Sequence, residues 1–207
     1  MATTIYTHAE PAAARLRIVA APKAIPAQTG VWVAVSAIAM SFAALTSALV
    51  VRQASGTDWQ HFVVPRILYL DTLILIASSY TLELSRKRFA AEAAGPERAT
   101  LRSSGLYWLY MTQTLGLLFV AGQFLAWRSL AAQGLFLATS PSSSFFYLLT
   151  AMHGLHLLGG VLGLLYVGFR LRRRARNAQT SLGTAAVYWH FVDLLWVYLL
   201  LVIAIRM

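Results

Sequence analysis

The sequence predicts an all-α membrane protein built as a bundle of five transmembrane helices. Of its 207 residues, 58% are hydrophobic and 12% are charged, whereas a typical soluble domain has about 25% charged residues. The apolar residues form five runs, and each run reaches the roughly 20 residues that a helix needs to cross the hydrocarbon core of a bilayer. The basic residues lie mainly between these runs, as they do in membrane proteins.

The five predicted spans are separated by segments that contain turn-forming residues. Ser-Gly-Thr-Asp at 55–58 and Ser-Pro-Ser at 140–142 mark two of the breaks. Residues 1–30 are rich in Ala and Pro and have no long apolar core, so we expect a tail there rather than a cleaved secretory signal. Residues 31–207 are expected to form one transmembrane domain, with spans at about 31–51, 63–84, 104–127, 144–169 and 184–205.

The distribution of Arg and Lys predicts the direction of the bundle. Thirteen of the 17 basic residues precede the first span or follow the second or the fourth, and all of these positions share one side of the membrane. Four others, Arg52, Arg66, Arg128 and Arg206, lie near the opposite side. Because basic loops are retained in the cytoplasm, we expect a cytoplasmic N-terminus and an external C-terminus.

Several function classes have no support in the sequence. The chain has no Cys, which excludes disulfides and thiolate metal sites. Its net charge of +10 is explained by the basic loops, so a nucleic-acid partner is not expected. The chain contains no phosphate-binding glycine loop of the Walker type, no His-Glu-x-x-His and no Gly-x-Ser-x-Gly. We therefore expect no catalytic residue and no metal ligand set of the common types.

Five ionisable residues fall inside the predicted spans, toward the middle of the bilayer. They are Asp71 in the second span, His153 and His156 in the fourth, and His190 and Asp193 in the fifth. Ionisable groups at this depth are costly and usually pair with one another or line a functional site. Because neighbouring helices are antiparallel, we expect these side chains to meet in one polar cluster.

The sequence leaves two readings of this cluster open. His153 and His156 are three residues apart and so face the same side of a helix, which is compatible with a metal or haem site. Asp71 and Asp193 are compatible with proton transfer or ion binding. The alternative, which we favour, is hydrogen bonding that fixes helix packing. Gly159 and Gly163 form a Gly-x-x-x-Gly pair, which predicts close packing of the fourth span against another helix.

Two motifs strongly resemble subunit III of the haem-copper terminal oxidases. They are His-Gly-Leu-His at 153–156 and Tyr-Trp-His-Phe-Val-Asp-Leu-Leu-Trp at 188–196. The segment 115–119 followed by Gln123 is similar to the preceding helix of that family, and Val64-Pro65 leading to Asp71-Thr72 and Ser78-Ser79 is similar to the helix before it. The similarity covers residues 31–205 in order and resembles the five-helix bacterial form.

The resemblance implies an accessory role without catalysis. Members of the family hold no haem or copper themselves, pack against catalytic subunit I, which carries those cofactors, and support proton uptake. They also bind phospholipid between their helices, and the polar network of Asp71, Gln123, His153, His156, His190 and Asp193 would hold the helices in register. Candidate residues for lipid headgroups are the basic side chains Arg86, Arg88, Arg172 and Arg173.

The sequence departs from the family pattern at two acidic positions. Many members carry an acid in the helix that corresponds to the first span, where residues 35–40 here have none. A glutamate that often follows the glutamine of the third span is Ala126 here. Two alternatives to an oxidase subunit are a related five-helix protein of nitric oxide reduction and a haem-b electron carrier that uses His153 or His156 together with His190. A transporter is disfavoured because no Pro interrupts a span after its first turn.

Overall fold

The computed structural model describes residues 26–61, 65–94, 98–175 and 177–206 and is all-α. Five long helices make up this part of the chain, and each is apolar and long enough to cross a membrane. The predicted five-helix membrane fold is therefore confirmed. Most of the predicted tail lies outside the described residues. The helices are α1 (Pro26–Ser55), α2 (Ile67–Ala94), α3 (Arg98–Ala132), α4 (Pro141–Arg172) and α5 (Ala178–Arg206).

The helices are longer than the apolar runs that predicted them. The 35 residues of α3 correspond to about 52 Å at a rise of 1.5 Å per residue, whereas the hydrocarbon core is about 30 Å thick. Polar residues continue a helix into the interfacial region, which hydropathy alone does not detect. In contrast, α2 begins later than predicted, at Ile67, because Pro65 and Arg66 form the turn that precedes it.

The start of α4 has a complete capping arrangement. Ser140 is the N-cap, Pro141 follows it, and the side chains of Ser140 and Ser143 each accept a hydrogen bond from the other's backbone N–H. These bonds satisfy backbone donors that have no partner within the helix. At the other end, Arg174 and Asn177 have positive φ angles of 53° and 62°, and this tight connection leads the chain directly into α5.

Four helices form the centre of the bundle and α1 lies outside it. The antiparallel helices α2 and α3 pack along most of their length, α4 packs on α3 and α5, and α5 also packs on α2. Among the described residues, α1 contacts only α5 and α4. Large apolar side chains such as Leu73, Leu118, Leu162 and Leu194 are exposed on the outside of α2 to α5, as expected for surfaces that face lipid.

The indole of Trp189 lies at the centre of this core. A Cβ placed on Gly116 of α3 would lie 2.7 Å from its ring, and one placed on Gly160 of α4 would lie 3.2 Å from it. The indole nitrogen donates to the hydroxyl of Ser78 on α2 at 3.1 Å. Because lipid is as apolar as the core, such close packing and interhelical hydrogen bonds are what hold membrane helices together.

Candidate functional site

Asp71 and Gln123 join α2 to α3. The Asp71 carboxylate is 2% exposed and accepts a hydrogen bond from the side-chain amide of Gln123 at 3.1 Å. Gly122 gives the carboxylate its space, since a Cβ there would lie only 1.9 Å from one of its oxygens. This contact brings together two of the residues that the sequence singled out.

His190 and Asp193 are linked through a serine that the sequence reasoning missed. Nδ1 of His190 lies 2.9 Å from the hydroxyl of Ser79 on α2, and the same hydroxyl donates to the Asp193 carboxylate. The two residues of the 188–196 motif therefore meet through α2 rather than pairing directly. Depth and charge do not separate Ser79 from the other serines of the spans, because a serine is not costly in a membrane helix. Only the family resemblance of Ser78-Ser79 pointed to this position, and it gave no role for the hydroxyl.

His153 belongs to an aromatic layer and not to a polar cluster. Its fully buried ring lies 5.7 Å from the ring of Phe119 on α3 and 5.0 Å from the ring of Trp196 on α5. Neither ring nitrogen has a hydrogen-bond partner among the described residues. Trp196 in turn donates from its indole to the hydroxyl of Thr72 on α2 at 3.0 Å. This layer thereby connects all four central helices.

His156 faces α1 instead. Its Nδ1 donates to the backbone carbonyl of Met152 in the same helix at 2.7 Å, and its ring meets the ring of Phe42 edge to face at 5.7 Å. The hydroxyl of Tyr188 on α5 donates to the backbone carbonyl of His156 at 3.0 Å. These contacts hold α1, α4 and α5 together at one level.

The single polar cluster expected from depth alone does not form in the described part of the chain. Hydropathy places residues along the membrane normal, but the rotation of each helix about its axis decides which neighbour a side chain meets. His153, His156 and His190 each engage different neighbours, so no two of them face one another as a pair of haem ligands would. Among the described residues, no three His, Asp or Glu side chains come together as metal ligands do.

The glycine of α4 that allows the closest approach of α5 is not one of the two that the sequence singled out. A Cβ on Gly163 would meet no atom within 4 Å, and one on Gly159 would meet only the Tyr188 hydroxyl at 3.9 Å. The predicted close packing through these two glycines is therefore not made within the described residues. The close approach is at Gly160, where the rings of Tyr188 and Trp189 both lie 3.2 Å from the Cβ position. Gly159 and Gly163 line a cleft between α1, α4 and α5.

The basic candidates lie together where α2 and α4 end and α3 and α5 begin. Arg86 pairs with Glu83 at 2.8 Å, and the Arg173 guanidinium lies 4.1 Å from the centre of the Phe169 ring. Arg88 and Arg172 are exposed. This end, called the arginine-rich end below, also has a largely buried ion pair between Arg102 and Glu92 at 3.1 Å.

Comparison with known proteins identifies the family. The sequence model described as cytochrome c oxidase subunit III matches residues 31–206, which is the whole of the five-helix bundle except its first turn. The chain belongs to the cytochrome c oxidase subunit III family. This confirms the resemblance that the motifs at 153–156 and 188–196 indicated. The family carries no metal centre.

Several bacterial members of the subunit III family are similar over almost the whole chain. The probable cytochrome c oxidase subunit 3 of Mycobacterium tuberculosis is 32% identical over 209 residues, which is 98% of both chains. The cytochrome c oxidase subunit 3 of Corynebacterium diphtheriae is 32% identical and covers 92% of this chain and 93% of its own length. That of Thermostichus vulcanus is 35% identical over 147 residues, covering 70% of this chain and 66% of its own. The protein is thus a multi-pass membrane subunit of the bacterial respiratory oxidase type.

Proposed function

We propose that this subunit III is a non-catalytic support for the catalytic subunit I of a bacterial haem-copper oxidase. The observation that carries the proposal is the use of the intramembrane polar residues. Asp71, Asp193 and His190 all hydrogen-bond to uncharged side chains on a neighbouring helix, and among the described residues none of the three is hydrogen-bonded directly to a second ionisable side chain. Such contacts stabilise and align helices. They supply a rigid body for another subunit to pack against.

Purification of the complex tests this role. A tagged chain extracted from its native membranes in a mild detergent is expected to bring with it a subunit that contains haem and copper. The tagged chain separated from its partners is expected to show no Soret absorption. Recovery of the chain without any haem-copper subunit would contradict the proposal, and a Soret band lost on replacing His190 would favour the haem-b carrier instead.

We also propose that phospholipid occupies the cleft between α1, α4 and α5. The cleft has a volume of about 490 Å³ and includes Gly30, Ala34, Gly159 and Gly163 among its lining residues. Its walls are apolar along the helices, and Arg170 lies at the arginine-rich end of the cleft, where its guanidinium contacts Ser181 at 3.0 Å. An acyl chain along the glycines with its phosphate near Arg170 fits both features.

A pair of glycine variants tests the lipid proposal. Gly163→Leu would fill the cleft, whereas Gly154→Leu changes a glycine on the same helix that also has no atom within 4 Å of its Cβ position and does not line the cleft. We expect purified Gly163→Leu protein to retain less phospholipid per chain by native mass spectrometry, and Gly154→Leu protein to match the original. Equal retention in all three proteins would refute the proposed site.

The proposed orientation places the arginine-rich end and the N-terminus in the cytoplasm. Because the chain has no Cys, single cysteines can report on this directly. Thr57→Cys lies in the α1–α2 connection and Arg173→Cys lies at the arginine-rich end. A thiol reagent that does not cross membranes should label Thr57→Cys in intact cells and Arg173→Cys only after lysis. The reverse pattern would overturn the orientation.

Support for proton uptake is proposed to be indirect, through bracing of the catalytic subunit. α1 contains no acidic residue along its 30 residues, so it offers no carboxylate for proton transfer. We expect oxidase from which the chain has been removed to lose activity faster during turnover. An unchanged rate of inactivation, with and without the chain, would argue against this role.

A further inference from the structure

The last turns of α1 are tied to the end of α5. The carbonyl oxygen of Arg206 accepts hydrogen bonds from the side-chain amide of Gln53 at 3.2 Å and from the indole of Trp59, in the α1–α2 connection, at 3.1 Å. The ring of Trp59 also lies 6.4 Å from the ring of Phe145 on α4. One turn before Gln53, Leu49 is fully buried. These turns are therefore held by hydrogen bonds and by packing, the two contributions that join helices in lipid.

The first part of α1, residues 28–37, has much less support. In the part of the chain that the structure describes, none of these residues hydrogen-bonds to another helix. Val35 is the only buried side chain among them, and a Cβ on Gly30 would meet no atom within 4 Å. Because lipid is as apolar as the bundle, burial alone does not draw a helix inward. The bundle thus holds the first part of α1 less firmly than the last turns.

The cleft of about 490 Å³ separates the first part of α1 from α4 and α5. Gly30 and Ala34 line it on α1, and Gly159 and Gly163 line it on α4. In each pair the two residues are four positions apart, which is the small-x-x-x-small pattern that lets helices pack closely. Two surfaces suited to close packing therefore lie on opposite sides of a gap.

The length of α1 makes a small tilt sufficient to close this gap. Gln53 and Gly30 are 23 residues apart, which is about 34 Å along the helix. A tilt of about 6° around the Gln53 end moves Gly30 by roughly 3–4 Å. Phe42, which packs on the ring of His156, lies halfway between them and moves by about half as much. Packed helices slide by distances of this size in conformational changes.

We propose that α1 is a hinged arm, fixed by its last turns on α5, and that Gly30 and Ala34 close on Gly159 and Gly163 when phospholipid leaves the cleft. Phospholipid in the cleft binds only the open arrangement, and this difference in affinity shifts the arm toward the open position. The inference rests on the lipid site in the proposed function. It adds that the position of α1, and with it the surface that α1 presents to a partner subunit, depends on lipid content.

Distances between spin labels test the arm, because the chain has no Cys of its own. Val33→Cys with Leu165→Cys forms the cleft pair, and Val51→Cys with Leu148→Cys forms the hinge pair. These four side chains are between 42% and 65% exposed, and none of them lines the cleft.

The labelled full-length protein is measured by pulsed electron–electron double resonance in phosphatidylglycerol nanodiscs and again after detergent exchange has removed phospholipid. Native mass spectrometry counts the phospholipid that remains. We expect removal to shorten the cleft-pair distance by roughly 3–4 Å and to leave the hinge-pair distance unchanged. A cleft pair that does not shorten after phospholipid has been lost, or an equal change in both pairs, would overturn the inference.

Variants that fill the cleft separate the wedge from the effect of detergent. Gly163→Leu places a side chain where the acyl chain would lie, and Ala34→Leu does the same from α1. We expect either variant to keep the open cleft-pair distance after phospholipid removal. Gly154→Leu, which changes α4 outside the cleft, should shorten as the original does. Shortening in both filled variants would show that this gap is not what closes.

A double variant tests the position of the hinge. Gln53→Leu with Trp59→Phe removes both donors to the Arg206 carbonyl, so we expect the hinge-pair distances to become more broadly distributed. Ser55→Ala is the control, because in the described part of the chain its hydroxyl hydrogen-bonds only to the Val51 carbonyl of its own helix. An unchanged distribution in the double variant would contradict a hinge at the tie to α5.

The lipid count separates this inference from the proposed lipid site. If the original chain loses its phospholipid and the cleft pair does not shorten, the hinged arm is wrong although the lipid site stands. If the original chain and Gly163→Leu retain equal phospholipid, the lipid site is wrong and the wedge fails with it.

Discussion

The indole of Trp189 donates to the hydroxyl of Ser78 at 3.1 Å, which joins α5 to α2 at the centre of the bundle. The Trp189 ring packs directly against Gly116 on α3 and Gly160 on α4. One side chain therefore contacts three other helices. Because interhelical hydrogen bonds in membrane proteins average only about 0.6 kcal/mol, the fit of the ring against the two glycines matters as much as the bond.

The first prediction concerns Gly116→Ala. The new Cβ would lie 2.7 Å from the enclosed Trp189 ring, and such overpacking typically costs roughly 1–3 kcal/mol. This exceeds the gain of about 0.5–1 kcal/mol that alanine brings to a helix interior. The apparent Tm in detergent should fall. Gly154→Ala, which meets no atom within 4 Å, should leave Tm unchanged or raise it, and an equal fall in both variants would contradict the explanation.

The second prediction concerns Ser79→Ala. This change removes the hydroxyl that His190 and Asp193 share and leaves the buried Asp193 carboxyl and the half-buried His190 ring without that partner. We expect the free energy of unfolding to fall by roughly 1–3 kcal/mol, the cost of an unsatisfied buried group. Ser41→Ala is the control, because the Ser41 hydroxyl is exposed and, in the described part of the chain, hydrogen-bonds only to the Ala37 carbonyl of its own helix. Titration with a denaturing detergent measures the free energy of unfolding of both variants.

Asp193→Leu should weaken assembly for a related reason. Ser79 and His190 would keep their contact with each other but lose the carboxylate that accepts from Ser79. Breaking a buried charged pair can cost roughly 3–5 kcal/mol, and the loss of this hydrogen-bonded contact should be smaller because Ser79 is uncharged. Unchanged co-purification and thermal stability of the variant complex would show that the carboxylate is dispensable.

The fourth prediction is an energetic coupling between Asp71 and Gln123. Gln123→Leu leaves the carboxylate without its amide donor, and Asp71→Leu leaves the amide without its acceptor. The double variant should lose less stability than the sum of the single variants, by about 1 kcal/mol. Additive losses in a double-mutant cycle would show that the two side chains do not interact.

The fifth prediction concerns acid sensitivity in the α1–α2 connection. A hydrogen bond from Arg52, at 2.8 Å, lowers the pKa of the exposed Asp58 carboxyl below its usual value. A lowered folded-state pKa gives a contribution to stability that is complete above about pH 4, the unfolded value, and is lost as the pH falls through the folded value. Arg52→Gln should raise the Asp58 pKa toward its usual value. Carbon-13 titration of the carboxyl measures this shift.

The control for this shift is Arg66→Gln, which changes a basic residue with no described contact to Asp58. It should leave the Asp58 titration where it is. High salt should also reduce the lowering of the Asp58 pKa by Arg52. The reason is that the side chains of Arg52 and Asp58 are 37% and 57% exposed, so salt screens the pair. A titration that does not respond to Arg52→Gln would assign the lowered pKa to the backbone of the connection instead.

The sequence predicts the number and order of the helices because each must be about 20 apolar residues long. It predicts the ends less well. Helix α4 begins at Pro141 rather than 144 because Ser140 caps it, and α3 continues past residue 127 to Ala132. The length of an apolar run reflects the thickness of the hydrocarbon core of the membrane. Capping residues and the continuation of backbone hydrogen bonds determine where the helix itself ends.

The contacts of the polar residues could be predicted only in part. Their depth followed from their positions, but Asp71 meets Gln123 while His153 meets Phe119, although Phe119 and Gln123 are one turn apart on α3. The choice depends on how each helix is rotated, and an almost uniformly apolar helix gives no amphipathic signal from which to predict the rotation. The same limit explains why Gly160, and not the Gly159 and Gly163 pair, makes the close approach.

The peripheral position of α1 has a consequence for biogenesis. α1 is synthesised before α2 and α3, yet among the described residues it packs only on α4 and α5, which are synthesised after them. It must therefore wait in the bilayer as a single span while α2 and α3 insert and pair as a hairpin. Its own docking, through Phe42 against His156, is possible only after α4 and α5 have been synthesised, so that a docked α1 shows that all five helices have come together.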